Sequence, residues 1–394
     1  RTMLKPSELL KNTLGLLNTP GNIITAVILF CGAVATVMRF GWGIGAVTNL
    51  DDYYPWGLWI GFDLLCGVAL AAGGFTLAAG YYIFGFNNLR SMWRPALTTA
   101  FFGYAFVIAD LLYDVGQPWR LPYPVFVSQG TTSLLFTVGV CEFFYLCVMA
   151  VLWFVIPCEW LGWNKLRAML MKLIMPLVAL GIILSTLHQS SLGGLYVMVP
   201  SKMHPLWYSS WLPVYFFVSS LYAGLSMVIF EGTLAHAGMH KYMDENHAKS
   251  FDGVSLSLAR GASLVMMGYF VIKIGGLTLD NGWKYVFSGY GLLWLLEMAL
   301  VIVPAFMFAV GVRERRYGMI RLAAGLAVFG VMLNRMDVSL VAYNYNLPTH
   351  LKYFPSLGEI TLSLFMLVGL VTVYRFVCAK MPVLRDHPDY KPEA

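Results

Sequence analysis

Acidic and imidazole side chains recur inside stretches of this chain that are otherwise apolar. Asp63 lies in PWGLWIGFDLLCGVALAAGGF, Asp110 and Asp114 lie in the run that ends LLYDVGQPWR, and His188 lies in LHQSSLGG. A carboxylate and an imidazole that face one substrate can exchange protons with its oxygen atoms, because histidine titrates near neutral pH. These residue types therefore predict proton exchange at a buried site.

The segments that carry these side chains are long enough to cross a bilayer. The apolar run that starts at Trp56 continues to Phe86, and a hydrocarbon core of roughly 30 Å needs about 20 residues. A charge held at such depth costs about 2.5–3.5 kcal/mol, so it usually faces a cavity, a pathway or a partner. The alternative is that Asp63 only caps or pairs locally near the interface.

The composition indicates a membrane protein. Of the 394 residues, 59% are hydrophobic and 12% are charged, whereas a soluble domain carries about 25% charged residues. The net charge of +6 is explained by basic loops on one side of a membrane and needs no nucleic acid. The predicted fold class is all-α, a polytopic integral membrane protein.

Hydropathy, with breaks at Pro, Gly and charged residues, predicts ten transmembrane helices. The predicted organisation is an amphipathic segment at 1–20, a transmembrane domain at 21–380 with four-helix bundles at about 56–187 and 211–335, and a tail at 381–394. The ten predicted spans are Gly21–Phe40, Trp56–Phe86, Pro95–Val115, Thr131–Ile156, Leu166–Leu187, Trp211–Glu231, Leu256–Ile274, Val286–Val312, Met319–Arg335 and Leu357–Cys378.

The two faces of this arrangement differ in charge. We call the face that carries the loops with Trp42, Trp119, Trp207 and Tyr345 the outer face, and the opposite one the inner face. The outer face holds seven of the 26 Lys and Arg residues, and the inner face holds the remaining 19. Basic loops favour the cytoplasm, so both termini are predicted to be cytoplasmic.

A second set of polar residues lies deeper or nearer the inner face. Carboxylates distributed over apolar helices are candidate steps of a proton path. The alternative is an ion pair that holds helices together, such as Arg260 with Glu231; Arg335 and Asp337 are expected to form a local ion pair. The candidate proton path comprises Glu142, Glu231, Glu297 and Arg260.

Histidine and cysteine positions argue against a metal cofactor in this chain. Haem b ligation needs histidines that face each other from different helices, and only His188 falls within a predicted span. The six cysteines form no C-x-x-C pair, which gives iron–sulfur and zinc ligation no support. The spacing of His236 and His240 could suit a metal, but a solvated helix end is favoured. We expect no haem and no iron–sulfur cluster.

Several motifs together resemble the NrfD/PsrC family of quinone-interacting membrane subunits. They are PWGLWIGFDLLCGVALAAGGF, RPALTTAFFGY followed by DVGQPWR, LHQSSLGG with HPLWYSSWLPVYFF, and FEGTLA. The chain is most similar to the ten-helix branch found with periplasmic nickel–iron hydrogenases and with redox complexes of sulfate-reducing organisms. The resemblance covers most of the chain from the second span to the tenth.

The resemblance implies a multi-pass subunit of a prokaryotic cytoplasmic membrane that binds menaquinone or a similar quinone. A ferredoxin-like iron–sulfur subunit is the implied electron partner, with multihaem cytochrome, hydrogenase or molybdopterin-type subunits as further candidates. Asp63, Asp114 and His188 would exchange protons with the quinone, with Trp59 and Arg120 in the same binding region. The alternative function is a secondary transporter that uses the intramembrane acids as coupling sites.

Overall fold

The structure is a computed structural model that describes residues 19–385. Within this range the chain is helical and has no β-strand. The predicted amphipathic segment, apart from its last two residues, and the end of the predicted tail from residue 386 lie outside the described residues. Ten helices are long and apolar enough to span a membrane, which confirms the predicted fold class. They are α1 Pro20–Trp42, α2 Trp59–Ile83, α3 Asn87–Asp114, α4 Leu134–Leu161, α5 Asn164–Val197, α6 Leu212–Tyr242, α7 Glu245–Leu279, α8 Gly289–Glu314, α9 Tyr317–Val341 and α10 Leu357–Lys380.

The helices pack mostly with their neighbours in sequence. Helices α2 to α5 form one group and α6 to α9 another, while α1 packs on α10 and α10 packs on α3. The two groups meet where α2 and α5 contact α6 and where α2 contacts α9. The division into two bundles as separate domains stays a prediction.

Two glycines let α2 and α6 cross closely. A Cβ atom at Gly224 of α6 would lie 2.4 Å from the backbone nitrogen of Gly73 in α2. Side chains larger than hydrogen therefore do not fit at this crossing, and small residues at such positions are how membrane helices bring their backbones together.

Helix α5 is longer than the sequence suggested. The predicted span ended at Leu187 with irregular backbone after it, whereas the helix continues to Val197. His188 therefore lies about 13 Å inside the end of the helix, and the expectation of an irregular exit at LHQSSLGG is wrong. The small residues of this motif pack against other helices, as Gly193 does against the carbonyl of Leu212.

Helix α2 contains π-helical turns at Trp59–Leu64 and Ala79–Ile83, and the first of these meets a π-helical turn of α9 at Asp337–Val341. This contact is possible because Gly61 has no side chain, and a Cβ atom there would lie 2.4 Å from the hydroxyl of Ser339. π-Helical turns inside α-helices are frequent at functional sites. One of them carries Asp63.

Candidate functional site

A cavity of about 250 Å³ lies between α2, α3, α6, α9 and α10. Its wall is mainly Leu, Val, Met and Phe side chains, with the carboxyl groups of Asp63 and Asp110 at one end. The lining of α3 extends from Thr99 to Asp110, which is about 16 Å of helix rise. We call it the Asp63 cavity. Apolar walls with a few polar groups are typical of small-molecule sites, which start near about 300 Å³.

The two carboxyl groups of the cavity are held by different helices. Asp63 and Asp110 are each 8% exposed and interact with each other. The hydroxyl of Ser363 in α10 donates a hydrogen bond of 2.6 Å to Asp63 Oδ2. Helix α10 therefore fixes the orientation of Asp63, while no such bond is made to Asp110 by a described residue.

The first residues of α10 also fix the start of α2. Glu359 closes a capping box with Ser356 and accepts a hydrogen bond from the hydroxyl of Tyr353. Tyr353 in turn accepts the backbone N–H of Leu58 at 2.9 Å, and burial raises the pKa of this tyrosine. The indole of Trp59 donates to the carbonyl of Glu359 at 3.3 Å. These bonds hold the π-helical turn that carries Asp63.

The opposite end of the Asp63 cavity leads to Glu231. Thr99 lines the cavity and lies near the Glu231 carboxyl, and its hydroxyl has no hydrogen-bond partner among the described residues. The Glu231 carboxyl accepts a hydrogen bond from the hydroxyl of Tyr374 in α10. The structure thus places one predicted proton-path residue next to the cavity, about 12 Å from the inner end of its helix at Met239.

Four of the five residues predicted at the quinone site do not line the cavity, namely Asp114, Trp59, Arg120 and His188. Asp114 ends α3 and faces the buried Arg39 of α1, whose guanidinium also donates to the carbonyl of Tyr113 at 2.6 Å. Trp59 is buried beside α10, and Arg120 is exposed, with its guanidinium 5.8 Å from the ring centre of Tyr123. Their predicted roles stay predictions.

His188 lies in a different polar cluster, between α3, α4 and α5. Its Nδ1 lies 3.3 Å from the carbonyl of Val138, one turn before Glu142. Its ring is 5.8 Å from that of Tyr104, which is 4.4 Å from that of Tyr145. Glu142 is 1% exposed, and within residues 19–385 its Oε1 and the Nε2 of His188 have no hydrogen-bond partner. The structure thus brings His188 together with Glu142.

Helix α2 separates this cluster from the Asp63 cavity. Gln189, next to His188, donates to the carbonyl of Val68 at 3.1 Å, while Cys66 and Gly67 line the cavity. The two sites therefore lie on opposite sides of the same two turns of α2.

A further buried network lies in the second helix group. Glu297 accepts hydrogen bonds from Trp207 at 2.7 Å and from Asn334 at 2.8 Å. Arg335 was expected to pair with Asp337, and this expectation is wrong: among the described residues it forms no salt bridge. Its guanidinium donates to Asn334, Ser219 and the carbonyl of Phe216 and lies 3.7 Å from the ring centre of Phe216.

Arg260 is exposed and forms no described ion pair with Glu231. The ion-pair alternative for these two residues is therefore wrong, because Glu231 is bonded to Tyr374 instead. Because Arg260 is exposed, its side chain is not part of the buried network around Glu297.

Polar partners from α3 and α10 were missed by the sequence reasoning. Ser363, Thr99 and Tyr374 bond to or contact the predicted carboxylates. Serine and threonine hydroxyls in these helices mostly bond to a carbonyl of the preceding turn, as Thr372 does to Val368, and tyrosine is common in membrane proteins. Their spacing alone gives no signal. In the described part of the chain no group of three or more His, Cys, Asp or Glu residues could hold a metal ion.

The chain is similar to known membrane proteins over most of its length. A family model described as "Polysulphide reductase, NrfD" matches residues 46–345. A protein of Nitratidesulfovibrio vulgaris Hildenborough is 57% identical over 96% of this chain and 98% of its own. The "Probable Ni/Fe-hydrogenase 2 b-type cytochrome subunit" of Escherichia coli K12 is 32% identical over 96% of this chain and 94% of its own. The "Menaquinone reductase, integral membrane subunit" of N. vulgaris is 29% identical over 77% and 78%.

Proposed function

The chain belongs to the polysulphide reductase NrfD family, and from that membership we propose that it is the quinone-reactive membrane subunit of a respiratory redox complex. The Asp63 cavity is the observation that carries this proposal. Reduction of a quinone takes up two protons with two electrons, and the quinone tail requires an apolar environment. An apolar cavity with two carboxyl groups at one end supports both requirements.

Asp63 and Asp110 exchange the protons of the quinone head group in this proposal. Ser363 holds Asp63 in one orientation, so that its second oxygen can face the substrate. Proton exchange requires hydrogen-bond reach, directly or through one water. The menaquinone in the name of one relative makes menaquinone or a similar quinone our choice of substrate.

Electrons come from or go to a partner subunit. The chain is expected to hold no haem and no iron–sulfur cluster, and a ferredoxin-like iron–sulfur subunit on the outer face is the proposed partner. The name of the E. coli relative includes a b-type cytochrome. In this chain the Nδ1 of His188 contacts the carbonyl of Val138, and its ring packs beside that of Tyr104. We therefore keep the prediction that the chain binds no haem.

In this proposal, protons reach the cavity from the inner face. Glu231 leads to the cavity through Thr99, and the cluster of Tyr104, Glu142 and His188 lies across α2 from it. In proteoliposomes that contain the assembled complex, Glu142→Gln and Glu231→Gln should lower the number of protons moved per electron. An unchanged ratio in both variants would leave these acids with a purely structural role.

Copurification separates the proposed function from the transporter alternative. Affinity purification of the tagged chain from its native membrane should yield iron–sulfur or cytochrome subunits and extractable quinone. The chain in isolation should move no solute in liposomes. Recovery of the chain alone, with proton-coupled solute uptake, would overturn the redox proposal.

A further inference from the structure

Two buried carboxyl groups lie side by side in the second helix group. Glu297 of α8 is 1% exposed and Asp337 of α9 is 3% exposed. Asn334, one turn before Asp337 on α9, donates a hydrogen bond of 2.8 Å to Glu297, and the two carboxyl groups interact. Two neighbouring carboxyl groups in a low-dielectric interior do not both ionise, so one proton is shared between them.

The hydrogen bonds around the pair indicate which residue holds the proton. Both oxygens of Glu297 accept hydrogen bonds, from Trp207 and Asn334, as expected of a carboxylate. Asp337 Oδ2 has no partner among the described residues. This pattern assigns the shared proton to Asp337 rather than to Glu297.

Two cations accompany the pair without a salt bridge to it in the described structure. Arg335 is fully buried and Lys273 of α7 is 5% exposed, and the Lys273 ammonium lies 4.9 Å from the ring centre of Tyr215. Lys273 interacts with Glu297 over a longer distance. The negative charge of Glu297 balances the positive charge of Arg335. Lys273 is then the group that can give or take a proton. The other titratable groups around the network are Tyr222, Tyr269, Tyr196 and Cys66, with His204 beyond Trp207.

The network has a connection to the outer face. Lys273 lines a cavity of about 10 Å³ together with Trp207, Ser209 and Asp280, which is about the size of one water molecule. Asp280 is exposed at the outer end of α7. Towards the inner face the buried side chains are mostly small or apolar, with the hydroxyls of Ser226 and Ser263 among them.

We propose that Glu297 and Asp337 form a proton-binding site that exchanges its proton with the outer face through Lys273. The site is separate from the Asp63 cavity, whose lining does not include these residues. The exchange is directed to the outer face because Lys273 and Trp207 line the same small cavity and Trp207 donates to Glu297. The proposal stands whether or not the chain reacts with quinone.

Infrared spectroscopy of the purified protein complex tests the site directly. A protonated carboxyl group has a C=O stretch apart from the carboxylate bands, and deuterium exchange shifts it. Asp337→Asn should remove one such band. Glu297→Gln should remove it as well, because Asp337 then ionises to balance Arg335. Asp52→Asn, which changes an exposed carboxylate on the outer face away from this cavity, should leave the band in place.

The rate of deuterium exchange tests the route. Lys273→Met should keep the band but slow its shift after transfer to D₂O, whereas Lys284→Met, a change of an exposed lysine on the same face, should not slow it. Retention of the band in Asp337→Asn or in Glu297→Gln would overturn the shared proton. Exchange as fast in Lys273→Met as in the unmodified protein would overturn the outer-face route. If Asp337→Asn does not assemble, Glu297→Gln and Lys273→Met decide the question.

Discussion

Removal of the two carboxyl groups of the Asp63 cavity should abolish most quinone-linked turnover. Asparagine has nearly the shape of aspartate, and at position 63 its amide oxygen can still accept the Ser363 hydroxyl that now lies 2.6 Å from Asp63. Packing is therefore kept, and what is lost is the acid that exchanges a proton. General acid–base catalysis contributes about 10²–10⁴-fold to a rate, which is about 3–5 kcal/mol of the barrier.

The single and double variants should differ, because the two carboxyl groups interact. In Asp63→Asn the neighbouring Asp110 can still exchange a proton, so we expect a loss of only about 10-fold, below the range of about 10²–10⁴-fold for general acid–base catalysis. In Asp63→Asn/Asp110→Asn the loss should approach about 10⁴-fold. The two effects should therefore not simply add, as is usual for residues that share one substrate.

Turnover of a soluble quinone analogue by the purified complex is the assay. Electron transfer from the same donor to a dye that bypasses the quinone should be unchanged, which separates loss of the site from loss of assembly. Asp280→Asn, at an exposed outer-face position, is the matched control. Quinone turnover within a few-fold of the control in the double variant would refute the role of the cavity.

Three further predictions concern stability and assembly. Gly224→Ala should destabilise the protein by about 1–3 kcal/mol, because its Cβ would lie 2.4 Å from the backbone of α2; Gly325→Ala, where the nearest atom is at 3.7 Å, should not lower the thermal midpoint. Arg94→Met should destabilise the protein by about 1–3 kcal/mol and make residues 382–385 accessible to protease, because Arg94 bonds Glu159 at 2.8 Å and the carbonyls of Pro382 and Arg385 at 3.0 Å, while Arg167 still pairs with Glu159; Lys249→Met, in an exposed pair, should do neither. Burial lowers the pKa of His204 to about 4, and the N–H of Leu206 donates to its Nδ1. The contribution of neutral His204 to the free energy of unfolding should therefore be fully present above pH 6.5 and fall by up to about 3 kcal/mol towards pH 4. A thermal midpoint that depends on pH in the same way in His204→Phe and in the unmodified protein would contradict this.

The depth of each polar residue in the membrane could be predicted from the sequence, whereas the neighbouring helices that its side chain faces could not. The ten helices and the positions of Asp63, Asp110 and Glu142 along them follow from hydropathy and length. Asp63 and His188 have similar predicted depths, but α2 lies between their sites, and which face a residue takes depends on packing between helices. The length of α5 was underestimated for a related reason. Its Gly and Ser residues would predict a loop in a soluble protein, whereas in a bilayer they allow helices to pack closely.

Partners from distant parts of the chain were also beyond prediction. Ser363 reaches Asp63 across 300 positions of sequence, and Tyr374 reaches Glu231 across 143. The π-helical turns that present Asp63 and Asp337 arise where helices meet at Gly61 and Ser339, and no local pattern marks them.

Photoaffinity labelling with an azido-quinone tests the central claim most directly. Irradiation of the assembled complex, followed by mass spectrometry of its peptides, should place the label on residues that line the Asp63 cavity, with Phe106, Met366 and Leu370 as the expected positions. Excess unlabelled quinone should remove this labelling. Specific labelling beside His188 and Glu142, or beside Lys273 in the second helix group, with none in the cavity, would contradict the account.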